Sequence, residues 1–440
     1  MKQPHRTAYR ERAVLVALHT PDDPASREGN PLEELAQLAD TAGAVAVDRV
    51  VQRLAARCPA TCVGSGKADE IRDRAAAAKA DVVIFDNDLT PAQVRNLEKI
   101  FERKVIDRTE LILDIFAVHA TSKQAKLQVE MAQLEYLLPR LRGQWSHLSR
   151  QEGGPGIGQR GPGEKQIEMD RRIARDRVAE LRREIRREEG RKKEEVSRRS
   201  GNYALALVGY TNAGKSTLMR TLTGADVLVE DRLFSTLDTR TRAWTLGSGI
   251  RVLLSDTVGF IRKLPHHLVT SFHATLEEVT AADLLVHVVD AANPEADAQI
   301  DAVKSVLAEI GCADRPTVML LNQVDRLRDR VELQILAHRH PEALPVSART
   351  REGLDAFERR VEEHLADRLA VLDLAVPLAD GRTIAKLRAT GQVLAERCVD
   401  STLEMDVRLA RRDAPKFEAF LRKEKRKSKT ENRTKPRTRR

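Results

Sequence analysis

The sequence predicts an α/β protein of several domains, and three observations carry that prediction. Strand-like apolar runs alternate with helical runs over residues 13–119. A helical seam follows over 127–185. A strand, a glycine-rich loop and a helix start then succeed one another from Tyr203. At 440 residues the chain exceeds one typical domain, so two or more cores are expected. No apolar run approaches the ~18 residues that a membrane span needs, which excludes a transmembrane protein. The polar residues 1–12 carry no signal-peptide core, so a cytoplasmic location is expected.

The first domain, residues 1–120, has strand-like runs at 13–18, 44–51, 82–85 and 105–106, separated by helical stretches at 32–42, 67–79 and 91–101. That alternation predicts a small α/β domain with parallel pairing. Val63-Gly64-Ser65-Gly66-Lys67 looks briefly like a phosphate loop. It lacks the four-residue gap before Gly-Lys and a Ser or Thr after the lysine, so it reads as a turn entering a helix. Cys58, Cys62, Cys312 and Cys398 show no metal-ligand spacing and read as reduced thiols.

Residues 121–200 read as an antiparallel helical hairpin. Leu127, Met131, Leu134, Leu138 and Leu141 form a 4-3 seam on a helix starting near Ser122. The seam resumes at Ile167, Ala174, Val178, Leu181 and Ile185 on a second helix of similar length, with Arg171 in one seam position. The tip, residues 142–165, holds seven glycines and two prolines and cannot pack a core. With Trp145, His147, Arg150 and Arg160 interspersed it suits base stacking and phosphate contacts; the alternative is a flexible linker. Residues 186–200, of mixed charge around Gly190, read as a boundary.

Charge is unevenly placed. Residues 421–440 hold 11 Lys and Arg against 2 Asp and Glu, which equals the whole formal charge of +9. Residues 140–200 hold 18 basic against 11 acidic residues. The tail, 425–440, reads as disordered, and either solubilising or RNA-contacting; the hairpin charge coincides with the glycine-rich tip and makes the better phosphate-backbone argument.

In the next domain, residues 201–368, a buried-strand pattern at 204–208 leads into Gly209-Tyr210-Thr211-Asn212-Ala213-Gly214-Lys215-Ser216 and a helix start at Thr217. This is a full phosphate loop in its strand-loop-helix setting. Its glycines let backbone N–H groups turn onto phosphates, Lys215 reaches the β- and γ-phosphates, and the Ser216 hydroxyl ligates Mg²⁺. A second strand ends in Asp256-Thr257-Val258-Gly259. There the aspartate can hold the Mg²⁺ shell through water and the Gly259 N–H can sense the γ-phosphate. Phe234-Ser235-Thr236-Leu237-Asp238 lies where a first switch belongs, with Thr236 the candidate second protein ligand of Mg²⁺. Lys215, Thr236 and Gly259 are thus the catalytic candidates. A further strand ends in Asn322-Gln323-Val324-Asp325. Asp325 can accept two hydrogen bonds from guanine N1–H and the N2 amine, a donor pair adenine lacks, and Asn322 can serve the O6/N7 edge. Ser347-Ala348-Arg349 is placed to close over the base. Five such strings in order, each at a strand's end, predict a nucleotide site selecting GTP, with GDP as product.

These elements resemble the translation-factor-related GTPases, and the surrounding residues narrow the resemblance to the HflX family of ribosome-associated GTPases. Pro91-Ala92-Gln93-Val94-Arg95-Asn96-Leu97-Glu98, Val105-Ile106-Asp107-Arg108-Thr109, Leu111-Ile112-Leu113-Asp114-Ile115-Phe116 and Lys126-Leu127-Gln128-Val129-Glu130 are similar to that family's N-terminal domain. Arg160-Gly161-Pro162-Gly163-Glu164 with Asp170-Arg171-Arg172 resembles its hairpin, and Phe260-Ile261 and Leu264-Pro265-His266 extend the match after the second switch. The resemblance implies a P-loop GTPase domain preceded by a small α/β ribosome-binding domain and an antiparallel helical hairpin, and followed by a small α/β C-terminal domain at 369–424. It also implies a monomer that binds ribosomes, chiefly the large subunit and its RNA. There it would place the hairpin tip near the peptidyl-transferase region and help to dissociate or rescue stalled ribosomes. Gln323 stands where the family's guanine motif has lysine; specificity stays with Asp325.

Two residues set the expected chemistry. Phe260 follows Gly259 where many GTPases place the glutamine that orients the attacking water, and a phenyl ring cannot orient water. Slow hydrolysis stimulated by a partner follows, or else Phe260 only caps the switch hydrophobically and hydrolysis is vestigial. Asn212 occupies a position that in some related potassium-dependent GTPases helps hold a monovalent cation, so K⁺ is a further candidate cofactor. A GTP-gated RNA-binding or ribosome-assembly scaffold with incidental hydrolysis is the alternative function, and a Ras-like small-molecule switch is a third. In the C-terminal domain a helix at 383–397 and a strand at 402–409 are expected.

Overall fold

Arg12–His19 (β1) is apolar and buried along almost its whole length, as a central strand of a parallel sheet covered on both faces must be. The computed structural model describes residues 10–21, 32–140, 162–198, 203–224, 233–234, 239–262, 278–327, 329–366, 369–411 and 413–422. After β1 come α1 (Glu33–Thr41), β2 (Val45–Arg53), α2 (Ser65–Ala77), β3 (Val82–Phe85), α3 (Pro91–Phe101) and β4 (Lys104–Asp107), with the four strands in the order β2-β1-β3-β4 and every pair parallel. Helix α3 begins where the sequence places it, because Thr90 and Gln93 form a reciprocal capping box and Pro91 fills the first turn.

Helix α4 (Arg108–His119) follows β4 without a loop. Leu111, Ile112, Leu113, Ile115 and Phe116 are all buried, and the exposed side is only Asp114, Ala117 and the apolar Val118, so the helix has only a weak amphipathic period in the sequence. It joins one core that also contains Phe234, Phe260 and Ile261 from the phosphate-loop domain.

Helix α5 (Lys123–Leu137) is capped by Ser122, whose Oγ accepts from the Ala125 N–H at 3.1 Å. Its partner α6 (Pro162–Arg198) has 37 residues against 15, so the two are not of similar length. The seam forms as predicted around Leu127, Met131, Leu134, Leu181 and Ile185. Lys123 at the start of α5 pairs with Glu188 at 2.7 Å, whereas Glu130 and Glu135 further along α5 pair with Arg177 at 2.8 Å and Arg182 at 2.7 Å, earlier in α6, which makes the hairpin antiparallel. The expected boundary at 186–200 is instead largely helix. Arg, Lys and Glu are good helix formers, Arg191 pairs with Glu188 one turn back, and a single Gly190 costs only about 1 kcal/mol. Most of the tip at 142–165 and the tail at 425–440 lie outside the described residues.

The next sheet is built from β5 (Tyr203–Gly209), followed by α7 (Lys215–Thr223), then β6 (Arg240–Thr245), β7 (Arg251–Asp256), β8 (Leu284–Asp290), α8 (Ala296–Glu309), β9 (Thr317–Asn322), α9 (Arg330–Arg339), β10 (Leu344–Pro345) and α10 (Leu354–Ala366). Strand order is β10-β9-β8-β5-β7-β6. The β5–β7, β5–β8, β8–β9 and β9–β10 pairs are parallel, so the loops carrying the motifs all leave the carboxyl edge, where open α/β sheets bind ligands.

The chain divides into two compact units, residues 1–244 with 252–357, and 245–251 with 358–440. In the second, β11 (Leu369–Pro377), α11 (Gly381–Thr390), β12 (Gln392–Val399) and β13 (Thr402–Ala410) give an antiparallel sheet ordered β11-β13-β12. The helix expected over 383–397 is therefore too long: it stops at Gly391, and 392–397 are strand. A Cβ at residue 391 would lie 2.6 Å from Val407 Cγ1, and the strand beyond pairs Val393 with Val407.

Candidate nucleotide site

Strand β5 delivers the phosphate loop with no room for error. A Cβ at Gly209 would stand 2.2 Å from the Val288 carbonyl oxygen on β8, and Gly214 holds φ of +90° with a Cβ position 2.4 Å from Asn322 Nδ2. Only glycine fits at either place. Helix α7 then starts at Lys215, its first N–H groups at the mouth of the loop.

Lys215 is buried, and its ammonium donates to the carbonyls of Gly209 at 3.1 Å and Tyr210 at 2.7 Å. Burial pulls it down to about 8, partly offset by the Asp256 carboxylate. The Ser216 hydroxyl donates to Asp256 Oδ2 at 2.6 Å, which brings together the hydroxyl and carboxylate assigned to Mg²⁺. Thr257 Oγ1 donates to the Leu207 carbonyl at 2.6 Å and anchors the second-switch strand to β5. Thr211 N–H donates to the Phe260 carbonyl at 2.8 Å, and Phe260 N–H to the Gly209 carbonyl at 3.0 Å, so loop and switch are laced together. Gly259 lies so close that a Cβ there would be 2.8 Å from Thr211 Cα and 3.0 Å from Lys215 Nζ.

At the other end, Asn322 is a staple. Its Nδ2 donates to the Ala213 carbonyl at 2.8 Å and its Oδ1 accepts from the Ala348 N–H at 3.0 Å, so the carboxamide ties the phosphate loop to the 347–349 turn. Ser347 Oγ donates to Asp325 Oδ1 at 2.7 Å and accepts from the Thr350 N–H at 3.0 Å, which fixes the carboxylate. Gln323, at φ +65°, donates from Nε2 to the Asn212 carbonyl at 3.0 Å. Its carboxamide thus makes the same kind of link between base motif and phosphate loop.

A cavity of about 510 Å³ runs between the two ends. Of the residues singled out from sequence, Thr211, Asn212, Gly214, Lys215, Ser216 and Thr217 line its loop side. Phe234, Thr257 and Gly259 line the switch side, and Asn322, Gln323, Asp325, Ala348 and Arg349 the base side. Gly209, Tyr210, Ala213, Asp256, Val258, Val324 and Ser347 are not among its lining residues. Ser235, Thr236, Leu237 and Asp238 lie outside the described residues. Sequence reasoning missed Arg220 and Arg326, which also line the cavity. Arg326 adjoins Asp325 in the chain, and Arg220 lies on α7 five residues after Lys215; no motif marks either.

Tyr210 faces away from the cavity. Burial raises its phenol, which therefore stays protonated and donates to Glu34 of α1 while accepting from the Arg262 N–H at 2.8 Å. Phe234 meets Phe116 of α4 edge to face, with ring centroids 4.7 Å apart. Phe260 is buried in the same apolar core.

The sequence matches three family models: one described as GTP-binding GTPase N-terminal over residues 29–117, one as GTP-binding GTPase Middle Region over 119–199, and one as 50S ribosome-binding GTPase over 204–323. A protein of Lacrimispora saccharolytica named GTPase HflX is 45% identical over 390 residues, which is 88% of this chain and 90% of that protein. The protein of the same name in Escherichia coli is 43% identical over 379 residues, 84% of this chain and 87% of its own length. That of Akkermansia muciniphila is 38% identical over 425 residues, with shares of 93% and 97%. Among solved structures, a GTP-binding protein from Sulfolobus solfataricus in complex with GDP is 23% identical, over 81% of this chain and 99% of its own, with a TM-score of 0.42.

Proposed function

The chain belongs to the HflX family of GTPases, and from that premise we propose that it binds ribosomes, chiefly the large subunit and its RNA, and uses GTP to dissociate or rescue stalled ones. One observation carries the reading of the site. A single cavity has a phosphate loop at one end and, at the other, a carboxylate held by Ser347 for the guanine N1–H and N2 amine. The fixed carboxylate selects GTP over ATP, which offers no such donor pair.

The donor set suits a divalent cation. Ser216 and Asp256 bring a hydroxyl and a carboxylate within 2.6 Å, both hard oxygen donors. Ser216 and Thr236 would bind Mg²⁺ directly and Asp256 through water. When bound, Mg²⁺ neutralises charge on the β- and γ-phosphates. Lys215 adds a buried cation at the same end, and the Gly259 N–H reports the γ-phosphate. Hydrolysis by this chain alone is slow, since Phe260 packs into the core and offers no polar group to a water, and the ribosome supplies the missing positioning. Asn212 would hold K⁺ if a monovalent ion takes part; equal rates in potassium and sodium remove that role. The protein works as a monomer in the cytoplasm.

Sedimentation of intact ribosomes with the protein and GTP, GDP or an uncleavable GTP analogue tests this. Subunits accumulating with GTP but not GDP are expected. Binding to RNA or to assembling subunits in the GTP form, without any loss of intact ribosomes, would favour a GTP-gated assembly factor instead.

A further inference from the structure

Cys58 and Cys62, both free thiols in the first domain, stand opposite each other across one tight turn. The Cys58 N–H donates to the Cys62 carbonyl at 3.1 Å, and the Cys62 N–H donates back to the Cys58 carbonyl at 2.8 Å. A reciprocally bonded antiparallel pair of this kind holds its Cα atoms about 5.5 Å apart. A disulfide needs about 4.4–6.8 Å. The backbone is thus already at bridging distance.

The turn is fastened from outside. Gln93 Nε2 of α3 donates to the Cys58 carbonyl at 3.2 Å, and Asn96 Nδ2 donates to the Ala60 carbonyl at 2.9 Å. The Val63 N–H donates to the Thr61 carbonyl at 2.7 Å and closes a sharp bend at Cys62, whose φ of +64° is uncommon for a residue with a Cβ.

The two thiols differ as a reactive and a resolving cysteine must. Cys58 is half-buried between the exposed Arg57 and Pro59, whereas Cys62 is 1% exposed and belongs to the core that holds Val63, Phe85 and Leu97. The Thr61 side chain and the main-chain N–H groups of Ala60 and Thr61 hold the Cys58 thiol below its ordinary range. Burial raises the Cys62 thiol; the Arg57 cation works against that, and a charge on Cys58 adds to it, so the two sulfurs are near enough to sense one another. Thiolate character and access decide which sulfur meets a peroxide first, and both favour Cys58.

We propose that Cys58 and Cys62 form a reversible oxidation site for hydroperoxides, with Cys58 reacting first and Cys62 resolving it into a disulfide. The Cys58 sulfur attacks one oxygen of hydrogen peroxide: an S–O bond forms, the O–O bond breaks, and the departing hydroxide takes the thiol's proton and leaves as water. The Cys62 sulfur then attacks the sulfur of the Cys58 sulfenic acid. An S–S bond forms, the S–O bond breaks, and the hydroxide leaves as water with the Cys62 proton. Two thiols lose two electrons in total, and one peroxide is reduced to two waters. A dithiol reductant reverses the bridge by thiol–disulfide exchange.

The full-length protein tests this when it is treated with a small excess of hydrogen peroxide, alkylated in denaturant and mapped by mass spectrometry. Free thiols are expected to fall from four to two, with residues 58 and 62 joined within one chain and both restored by dithiothreitol. In Cys62→Ala protein, dimedone should trap the sulfenic acid on Cys58; in Cys58→Ser protein, peroxide should leave Cys62 free. The exposed Cys398 is the internal control. Four free thiols after peroxide overturn the proposal, as does a bridge between two chains or a Cys58 oxidised to sulfinic acid beside a free Cys62. Equal dimedone labelling of Cys58 and Cys398 in Cys62→Ala overturns it too, since Cys58 would then be an ordinary surface thiol. The wild-type map decides the bridge by itself should either variant fail to fold.

Discussion

Arg108 reaches across from the first domain to Arg262, its Nη2 donating to the main-chain oxygen of Arg262 at 3.1 Å. The same guanidinium pairs with Asp86 at 2.7 Å and with Glu34, and Glu34 in turn accepts from the phosphate-loop residue Tyr210. The first domain thus holds both the loop and the residue just past the second switch through one buried cation.

Replacing that cation by a neutral chain of similar length removes it from one buried carboxylate, Asp86, and one partly buried, Glu34. Arg108→Met is expected to cost about 3–5 kcal/mol, the scale for breaking a buried ion pair from one side. The urea-unfolding midpoint of the full-length protein measures it, and a change under about 1 kcal/mol would mean that Glu34 and Asp86 find other partners.

Asp325→Asn exchanges an acceptor for a group that presents one donor. Two charge-assisted bonds to guanine are lost, so GDP affinity is expected to fall by two orders of magnitude or more, while xanthosine diphosphate, which has an oxygen at C2, gains. Competition between the two nucleotides reads the switch directly.

His287 sits on β8 between Val208 and Met319, and burial takes its imidazole down to about 3, helped by the positive charge of Lys304, Lys215 and His340. The unfolded chain takes up the proton near 6.5, so its contribution to stability is full above that pH. It is lost as pH falls towards 3, at about 1.4 kcal/mol per pH unit. His287→Leu should flatten the stability curve between pH 6 and 4 relative to wild type; parallel curves would contradict a neutral native histidine.

Leu181 is wholly buried in the hairpin seam against Leu127 and Ile185. Leu181→Ala is expected to cost about 2–5 kcal/mol, felt first as faster amide exchange in α5 and α6 while GDP affinity is unchanged.

Much of this was legible because the signals are local. Buried runs give β1, β3 and β5, the 4-3 spacing gives the seam, and the phosphate loop announces its own strand and helix. Prediction failed where distant residues decide. Nothing near Gly391 says that 392–397 will pair with β13, and nothing in the charged run to Arg198 distinguishes a solvated helix from a linker. The grip of Arg108 on Arg262 joins residues 154 positions apart. Asn322 showed its position but not its stapling role, because that needs the carbonyl of Ala213 and the N–H of Ala348.

Asp107, one peptide bond before Arg108, accepts from Tyr136 at 2.7 Å and from Arg140 at 2.8 Å, at the end of α5 and just beyond it. The tip-side end of helix α5 and the flank of the second switch are therefore fastened to neighbouring residues of one chain segment. A pull on the hairpin is transmitted to Arg262 through the Asp107–Arg108 peptide with no loop in between to absorb the strain. The two behave mechanically as parts clamped in one vice.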